Sequence, residues 1–349
     1  MKGTTILLDR WQGAEAAALI RDGQLEDLLI DSDDPRPGTI YRARADRPMK
    51  GQGGMFLTTP DGSAFLRQVK GLSPGAPLLV QVTGHAEPGK AIPVTTRLLF
   101  KSRYAIVTPG APGLNVSRAS RDEERRDDLL TLAREVLEGH PVLELDPPAG
   151  VIIRSLAEDA EEEDIADDIL AMASLAMNVL GDAEGPPEKL VEGDGPHTLA
   201  WREWPQTADV RDGDGCFDEM EVGEMIAALH HPEVRLPGGG HMMIEPTTAL
   251  VAVDINTGAD TSMAAGLKAN LAAARDLPRQ LRLRGLAGQV VIDPAPMPKK
   301  DRRQFEGALR AALKGESFET VIAGWTQLGL VELQRQRARP ALPKPKGKS

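Results

Sequence analysis

Residues 249–257, Ala249-Leu250-Val251-Ala252-Val253-Asp254-Ile255-Asn256-Thr257, and 289–293, Gln289-Val290-Val291-Ile292-Asp293, each run apolar and meet an aspartate. Short apolar runs rich in β-branched side chains read as buried strands. The residues between them, 262–284, read as a helix, although Pro278 falls inside it and should cost about 3 kcal/mol or kink it. Residues 302–314 read as a second helix and 319–322 as a further strand, and the alternation is that of a parallel α/β unit. In open α/β sheets ligands bind beyond the carboxyl ends of the strands, so Asp254 and Asp293 face one site if their strands are neighbours. At about 4 Å two bare carboxylates repel by roughly 1 kcal/mol in water and about 4 kcal/mol at a protein-surface dielectric, a cost that a cation relieves. Magnesium suits oxygen ligands and is commonly held by one or two carboxylates plus substrate phosphate, where it polarises the phosphate and activates a water. Asn256, two residues beyond Asp254, is placed to orient that water or a carboxylate. Strand-end aspartates also serve as helix caps and turn formers, the reading given to Asp260 and Asp301, and spacing does not separate the two roles.

Working outward, residues 234–245 alternate around Gly238-Gly239-Gly240 and read as a β-hairpin. They are not a phosphate loop, because the glycines lead into a strand and not into a helix N-terminus. Residues 4–30 read as two short strands joined by a turn. Five β-like runs, 39–44, 55–58, 64–69, 78–82 and 92–95, are separated by Gly, Pro or Asp-Gly turns. That spacing suggests a small Greek-key barrel of the OB type, a fold that often binds single-stranded nucleic acid. Residues 123–138 form an amphipathic helix ended by Gly139, 151–153 a buried strand, and 165–180 a second amphipathic helix. The Gly-, Pro- and acid-rich stretch 181–195 reads as a loop or linker at a domain boundary. The basic, proline-rich tail 340–349 is expected to be disordered.

At 349 residues the chain is long enough for two or three compact units. Aromatic residues make up only 3%, so aliphatic side chains must fill the cores. The amino terminus lacks the apolar run of a secretory signal and no stretch approaches a membrane span, which predicts a cytoplasmic protein without membrane attachment. The single cysteine, Cys216, excludes an intramolecular disulfide and a cysteine-rich zinc site within one chain, and reads as an ordinary small side chain. The formal net charge of −11 argues against a nucleic-acid partner only superficially. Much of the acid sits in 158–168, read as a solvated helix face, whereas Lys and Arg collect at 97–103, 279–284, 299–303 and the tail.

The wording of several segments is more specific than their periodicity. Residues 249–257, Asn270-Leu271-Ala272-Ala273-Ala274 and 279–293 closely resemble the catalytic segment of the ribonuclease E/G family. Val234-Arg235-Leu236-Pro237-Gly238-Gly239-Gly240 resembles its hairpin, and 328–337 its closing motif. The resemblance implies a fold of α/β class with several subdomains: an OB-type barrel inserted in an RNase H-like unit, followed by a DNase I-like α/β catalytic subdomain. It implies that Asp254 and Asp293 bind the catalytic magnesium and that Asn256 helps position the reaction. The implied reaction is endonucleolytic cleavage of single-stranded RNA, in rRNA or mRNA processing or decay, leaving a 3′-hydroxyl and a 5′-phosphate. Residues 38–44, 54–57 and 64–66 resemble the family's OB-type RNA-binding domain, with Phe56 and Phe65 as base-stacking aromatics and Lys90 as a phosphate contact. Gly150-Val151-Ile152-Ile153-Arg154-Ser155 resembles its pocket for an RNA 5′-monophosphate, in which Arg154 pairs with phosphate oxygens and Ser155 donates a hydrogen bond. Without the resemblance each phenylalanine reads more often as a barrel-core residue, and Arg154 can also be read as a strand-end arginine in a surface ion pair.

On this reading 1–36 supplies strands of the RNase H-like unit, 37–97 the RNA-binding barrel and 98–184 the 5′-phosphate region. An abbreviated RNase H-like portion or linker follows at 185–233, then the catalytic subdomain at 234–339 and the tail at 340–349. The family's zinc-linking cysteine pair and small dimerisation domain are not found, so no structural zinc is expected. A zinc-linked tetramer is not expected either, and a homodimer remains open. Pro294-Ala295-Pro296-Met297 follows Asp293 where the family usually places a second acid, and acid replaces an arginine near Glu319. Two alternatives stay open: an RNA-binding paralogue with little or no catalysis, and an unrelated α/β enzyme using the aspartates on a small phosphorylated substrate.

Overall fold

The computed structural model describes residues 3–49, 51, 53–68, 71–87, 89–205, 207–260, 262–316 and 318–344. Two compact units divide the chain, Met1–Ser32 with Ala208–Ser349, and Asp33–Thr207. The first unit opens with β1 (Thr4–Trp11), β2 (Ala14–Arg21) and β3 (Gln24–Ile30), an antiparallel meander. Only two strands were expected over 4–30. The missed one is β2, whose alanines have poor strand propensity. Its flanking turns hold Gln12 and Gly13 at φ 53° and 91°, and Asp22 and Gly23 at 51° and 81°, the left-handed pairs that tight hairpins use. Ala16, Ala17 and Ala18 are all fully buried, so small side chains let both faces of the ribbon pack.

In the second unit β4 (Ile40–Met49), β5 (Gly54–Thr59), β6 (Gly62–Leu66), β7 (Pro77–Val82) and β8 (Ile92–Thr95) pair in the order β4-β5-β6-β8-β7, and β7 pairs back onto β4. This is the expected closed, OB-like five-stranded barrel. Its core is Tyr41, Ala43, Met55, Leu57, Ala64, Leu66, Val80, Val82 and Val94. The run expected over 64–69 stops at Leu66, and Val69 lies outside the described residues. The chain continues through β9 (Phe100–Lys101), β10 (Ala105–Thr108), β11 (Gly113–Val116), α1 (Glu123–Val136), β12 (Gly150–Ile153), α2 (Glu162–Gly181), β13 (Glu188–Val191) and α3 (Pro196–Glu203). Strands β9 to β12 form one sheet, and α1 and α2 contribute Leu129, Ala133, Ile165, Ile169 and Ala173 to its core.

The stretch expected to be a loop or linker, 181–195, instead contains β13, which pairs antiparallel with β4. The cause is Arg42, only 4% exposed, whose guanidinium donates to Pro186 O at 2.8 Å and Asp182 O at 3.0 Å and pairs with the Asp182 and Glu188 carboxylates. A buried guanidinium needs those acceptors, and the acidic segment supplies them. The acid run 158–168 is likewise not wholly solvated, since Asp168 turns inward to accept from Tyr104 N at 2.7 Å.

The chain re-enters the first unit as β14 (Asp209–Asp212), parallel to β1, followed by α4 (Cys216–Glu219) and α5 (Val222–Leu229). Asp9 anchors this return by accepting from Gly215 N at 3.1 Å and Phe217 N at 2.9 Å. Cys216 is buried, and desolvation pushes its thiol up to about 11.

The remainder is β15 (Glu233–Arg235), β16 (His241–Pro246), β17 (Val251–Asn256), α6 (Met263–Leu283), β18 (Gly288–Asp293), α7 (Arg302–Lys314), β19 (Thr320–Trp325) and β20 (Val331–Arg335). The strands pair in the order β15-β16-β17-β18-β20-β19. The hairpin formed by β15 and β16 is as expected. The wholly parallel sheet is not: β17 and β18 are parallel, but β18 pairs antiparallel with β20, and β20 with β19. The difference lies in β20, whose alternation of buried Val331, Leu333 and Arg335 with exposed Glu332 and Gln334 is that of an antiparallel strand with one wet face. Pro278 is buried within α6, which runs on past it to Leu283. Among the described residues no helix is long and apolar enough to cross a membrane. The tail is described as far as Lys344; residues 345–349 of the expected disordered stretch lie outside the described residues.

Candidate functional site

Strands β17 and β18 run side by side, and their register puts Asp254 directly opposite Asp293. Alternation fixes where both side chains go. Val251, Val253 and Ile255 on β17, and Val290 and Ile292 on β18, are buried against α6 and α7. Asp254 and Asp293 therefore emerge on the opposite face, and both are exposed. Neighbouring strands lie about 4.8 Å apart, so two carboxylates separated by a whole crossover in sequence become neighbours. Asn256 shares the face of Asp254, and its Nδ2 donates to Asp254 Oδ2 at 2.8 Å. This bond holds one carboxylate in a fixed orientation.

The chain that carries Asp293 is held from beneath. Asn270 on α6 is fully buried, receives Ala295 N on its Oδ1 at 2.9 Å and donates its Nδ2 to Ala295 O at 2.8 Å. One turn earlier, Gly266 lets the helix approach the same segment, since a Cβ there would lie 2.1 Å from Pro296 O. Gly240 does the same under β17, where a Cβ would lie 2.7 Å from Asn256 O. The triple glycine is thus a close-packing device beside Asn256. Periodicity alone gives Asn270 and Gly266 no role; the signal that the sequence offers is a polar residue in the apolar stripe of α6.

The donor set fits a hard divalent cation. Both carboxylates offer oxygen, and among the described residues no group of three or more His, Cys, Asp or Glu side chains gathers. An ion there would draw its other ligands from water and phosphate, which is the habit of magnesium.

On the barrel, Phe56 of β5 and Phe65 of β6 are cross-strand partners with ring centroids 5.2 Å apart. Both are half-buried, while Met55, Leu57, Ala64 and Leu66 beside them fill the barrel core. The rings therefore lie on the outer surface, and Arg47 stands 5.1 Å from the Phe56 centroid. Gly54 makes room for this pair, because a Cβ there would meet Phe65 Cζ at 2.3 Å. Lys90 is exposed, and its Nζ lies 2.6 Å from Glu87 Oε2; Pro88, two residues before it in the expected motif, is outside the described residues.

Arg154 follows β12, and its guanidinium is fully engaged within the second unit. It donates to Glu203 Oε2 at 2.5 Å, to Ser102 O at 2.5 Å, to Arg103 O at 3.1 Å and to Arg202 O at 3.2 Å. The arginine that the resemblance assigns to a terminal phosphate pairs here with the Glu203 carboxylate. Burial is the largest influence on Glu203 and acts upward, but Lys101, Arg154 and Arg202 together outweigh it and hold the carboxyl at about 2. Ser155 is half-buried at the start of a short 3-10 turn, where its carbonyl accepts from Glu158 N at 3.2 Å.

Comparison with known proteins bears on the whole arrangement. The model of the Ribonuclease E/G family matches residues 100–208 and 203–338. Ribonuclease E of Synechocystis sp. is 28% identical over 93% of this chain and 55% of its own length. Ribonuclease G of Salmonella typhimurium is 28% identical, and that of Escherichia coli 27%, each over 93% of this chain and 78% of the relative. The chain spans about half the length of the cyanobacterial relative. The family match takes in both aspartates, Asn256, Asn270 and the glycine-rich hairpin, and the chain belongs to the ribonuclease E/G family.

Proposed function

We propose that this chain is a magnesium-dependent endoribonuclease that cuts single-stranded RNA. The register pairing of Asp254 with Asp293 on one exposed sheet face carries this reading. The two carboxylates would hold the ion, and Asn256 keeps Asp254 turned toward it through the 2.8 Å bond. Bound there, magnesium supplies positive charge to the scissile phosphate and lowers the pKa of the attacking water. Water adds to phosphorus and the bond to the 3′-oxygen breaks, leaving a 3′-hydroxyl and a 5′-phosphate. Asn270 holds the chain after Asp293, which keeps the second carboxylate at its place opposite the first.

Substrate selection fits the barrel. The Phe56 and Phe65 faces offer a stacking platform worth about 1 to 3 kcal/mol per base, and paired bases are not free to use it. Lys90 would contribute a phosphate contact after giving up Glu87. Strands β1–β3 and β14 with α4–α5 correspond to an abbreviated RNase H-like unit, since β14 lies parallel to β1 beside an antiparallel meander. The sheet from β15 to β20 corresponds to the DNase I-like catalytic subdomain. The setting is cytoplasmic RNA processing or decay, with single-stranded RNA as the partner.

Purified protein incubated with 5′-labelled single-stranded RNA tests the proposal. Magnesium should produce discrete fragments ending in 3′-hydroxyls, and a chelator should abolish them. Binding without cleavage at any magnesium concentration would instead support a non-catalytic RNA-binding paralogue.

A further inference from the structure

Arg103 lies in the turn between β9 and β10 and is only 4% exposed. Its guanidinium is 5.0 Å from the centre of the Trp201 ring and 5.8 Å from that of Tyr104. Among the described residues it has neither a hydrogen-bond acceptor nor a carboxylate partner. The Asp168 carboxylate at this loop accepts from the Ser102 hydroxyl and from Tyr104 N, on either side of Arg103. Around it, Lys101, Arg154 and Arg202 share Glu203, and Arg202 also pairs with Asp194. Four cations thus meet two pairing carboxylates in a chain whose net charge is −11. Ring faces attract a cation without accepting from its N–H groups, and no Arg103 nitrogen is among the buried side-chain atoms that lack a partner, so the guanidinium is open to an anion.

Trp201 says which anion. It projects from α3 and is 54% exposed, a large flat ring left open beside a buried charge. A nucleotide presents a phosphate and a stackable base at that separation, whereas an acidic peptide offers the charge without the flat face. We propose that Arg103 and Trp201 form a nucleotide subsite of the second unit, with Arg103 binding one backbone phosphate of single-stranded RNA and Trp201 stacking the adjoining base. The choice of RNA rests on the ribonuclease reading. The site lies on other residues than the phenylalanine pair of the barrel, and it adjoins the Arg154–Glu203 pair, Arg154 Nη1 donating to Arg103 O at 3.1 Å.

Binding of a short fluorescein-labelled oligouridylate to the full chain, followed by anisotropy in EDTA across a salt series, tests this apart from cleavage. Trp201→Leu should weaken binding about tenfold, and an abasic ribose-phosphate strand should not distinguish it from wild type. Arg103→Gln should flatten the salt dependence by about 0.7, one phosphate on a single strand, while Arg103→Lys should keep the slope. If Arg103→Gln does not fold, the exposed Trp201 variant and Arg103→Lys decide. Wild-type affinity in Trp201→Leu, an equal loss on the abasic strand, or displacement of the RNA by polyglutamate or by free uridine monophosphate as readily as by unlabelled strand would overturn the subsite. RNA that binds through Trp201 but is never cut would reject the ribonuclease reading and leave the subsite standing, and cutting by a protein indifferent to Trp201→Leu would do the reverse.

Discussion

Asn270→Ala should separate stability from catalysis in a measurable way. The substitution removes both hydrogen bonds to Ala295, at 2.8 and 2.9 Å, and leaves a buried N–H and a buried carbonyl without partners, since Ala295 is 3% exposed. Each such orphan costs about 1 to 3 kcal/mol, so the loss should be about 2 to 6 kcal/mol before any water enters the gap. The segment freed lies two residues beyond Asp293. A displacement of about 1 Å at a reacting group costs about a hundredfold in rate, so kcat on labelled RNA should fall by roughly that factor while KM changes little. Urea unfolding followed by circular dichroism reports the first effect, and single-turnover cleavage at a urea-free concentration where the variant stays folded reports the second. A variant with the wild-type unfolding midpoint would refute the buried-orphan argument. A destabilised variant that cuts at the wild-type rate would show that the clamp does not position Asp293.

Three further outcomes follow from other contacts. Gly54→Ala must displace the Phe65 ring it would meet at 2.3 Å, so RNA affinity by anisotropy should fall by about tenfold, the worth of one stacked base, with the barrel intact by circular dichroism. Glu203, held at about 2 against an ordinary 4.5, is stabilised in its charged form by the fold; that contribution is complete above pH 4.5, is lost as pH falls toward 2, and amounts to about 3 kcal/mol. In Glu203→Gln the fall in urea midpoint between pH 4.5 and 2 should be shallower than in wild type, and parallel curves would count against the cluster. Because Arg154 is engaged by Glu203, RNAs bearing a 5′-monophosphate and a 5′-hydroxyl should be cut at the same rate, and a strong monophosphate preference would show that the pair opens.

Much of this architecture was legible because burial imposes period. The five barrel strands and the β17, α6, β18, α7 succession follow from apolar runs bounded by turns, and the aspartate pair follows from where two such runs end. The residues that misled were those whose context outweighs propensity. Alanine-rich β2 is a strand because only small side chains fit between its packed faces. The acidic segment around β13 is a strand because a buried arginine on β4 demands acceptors there. The direction of β19 depends on β20, which pairs with it as a hairpin and joins the sheet through β18, about forty residues earlier in sequence. Arg154 can be read from sequence as a strand-end ion pair, but its partner Glu203 is not legible there, since that acid lies 49 residues further on. Asn270 carries no legible role in the sequence, because a buried amide is recognised only by its backbone partners, here Ala295 N and O.

The central claim is that Asp254 and Asp293 act together on one ion and one phosphodiester. Single-turnover cleavage of labelled single-stranded RNA by Asp254→Asn and Asp293→Asn, over a magnesium titration, tests it most directly. Each amide should abolish cutting at every magnesium concentration while leaving the unfolding midpoint unchanged or higher, since a like-charge pair has been relieved. Cleavage at the wild-type rate by either variant would contradict the account.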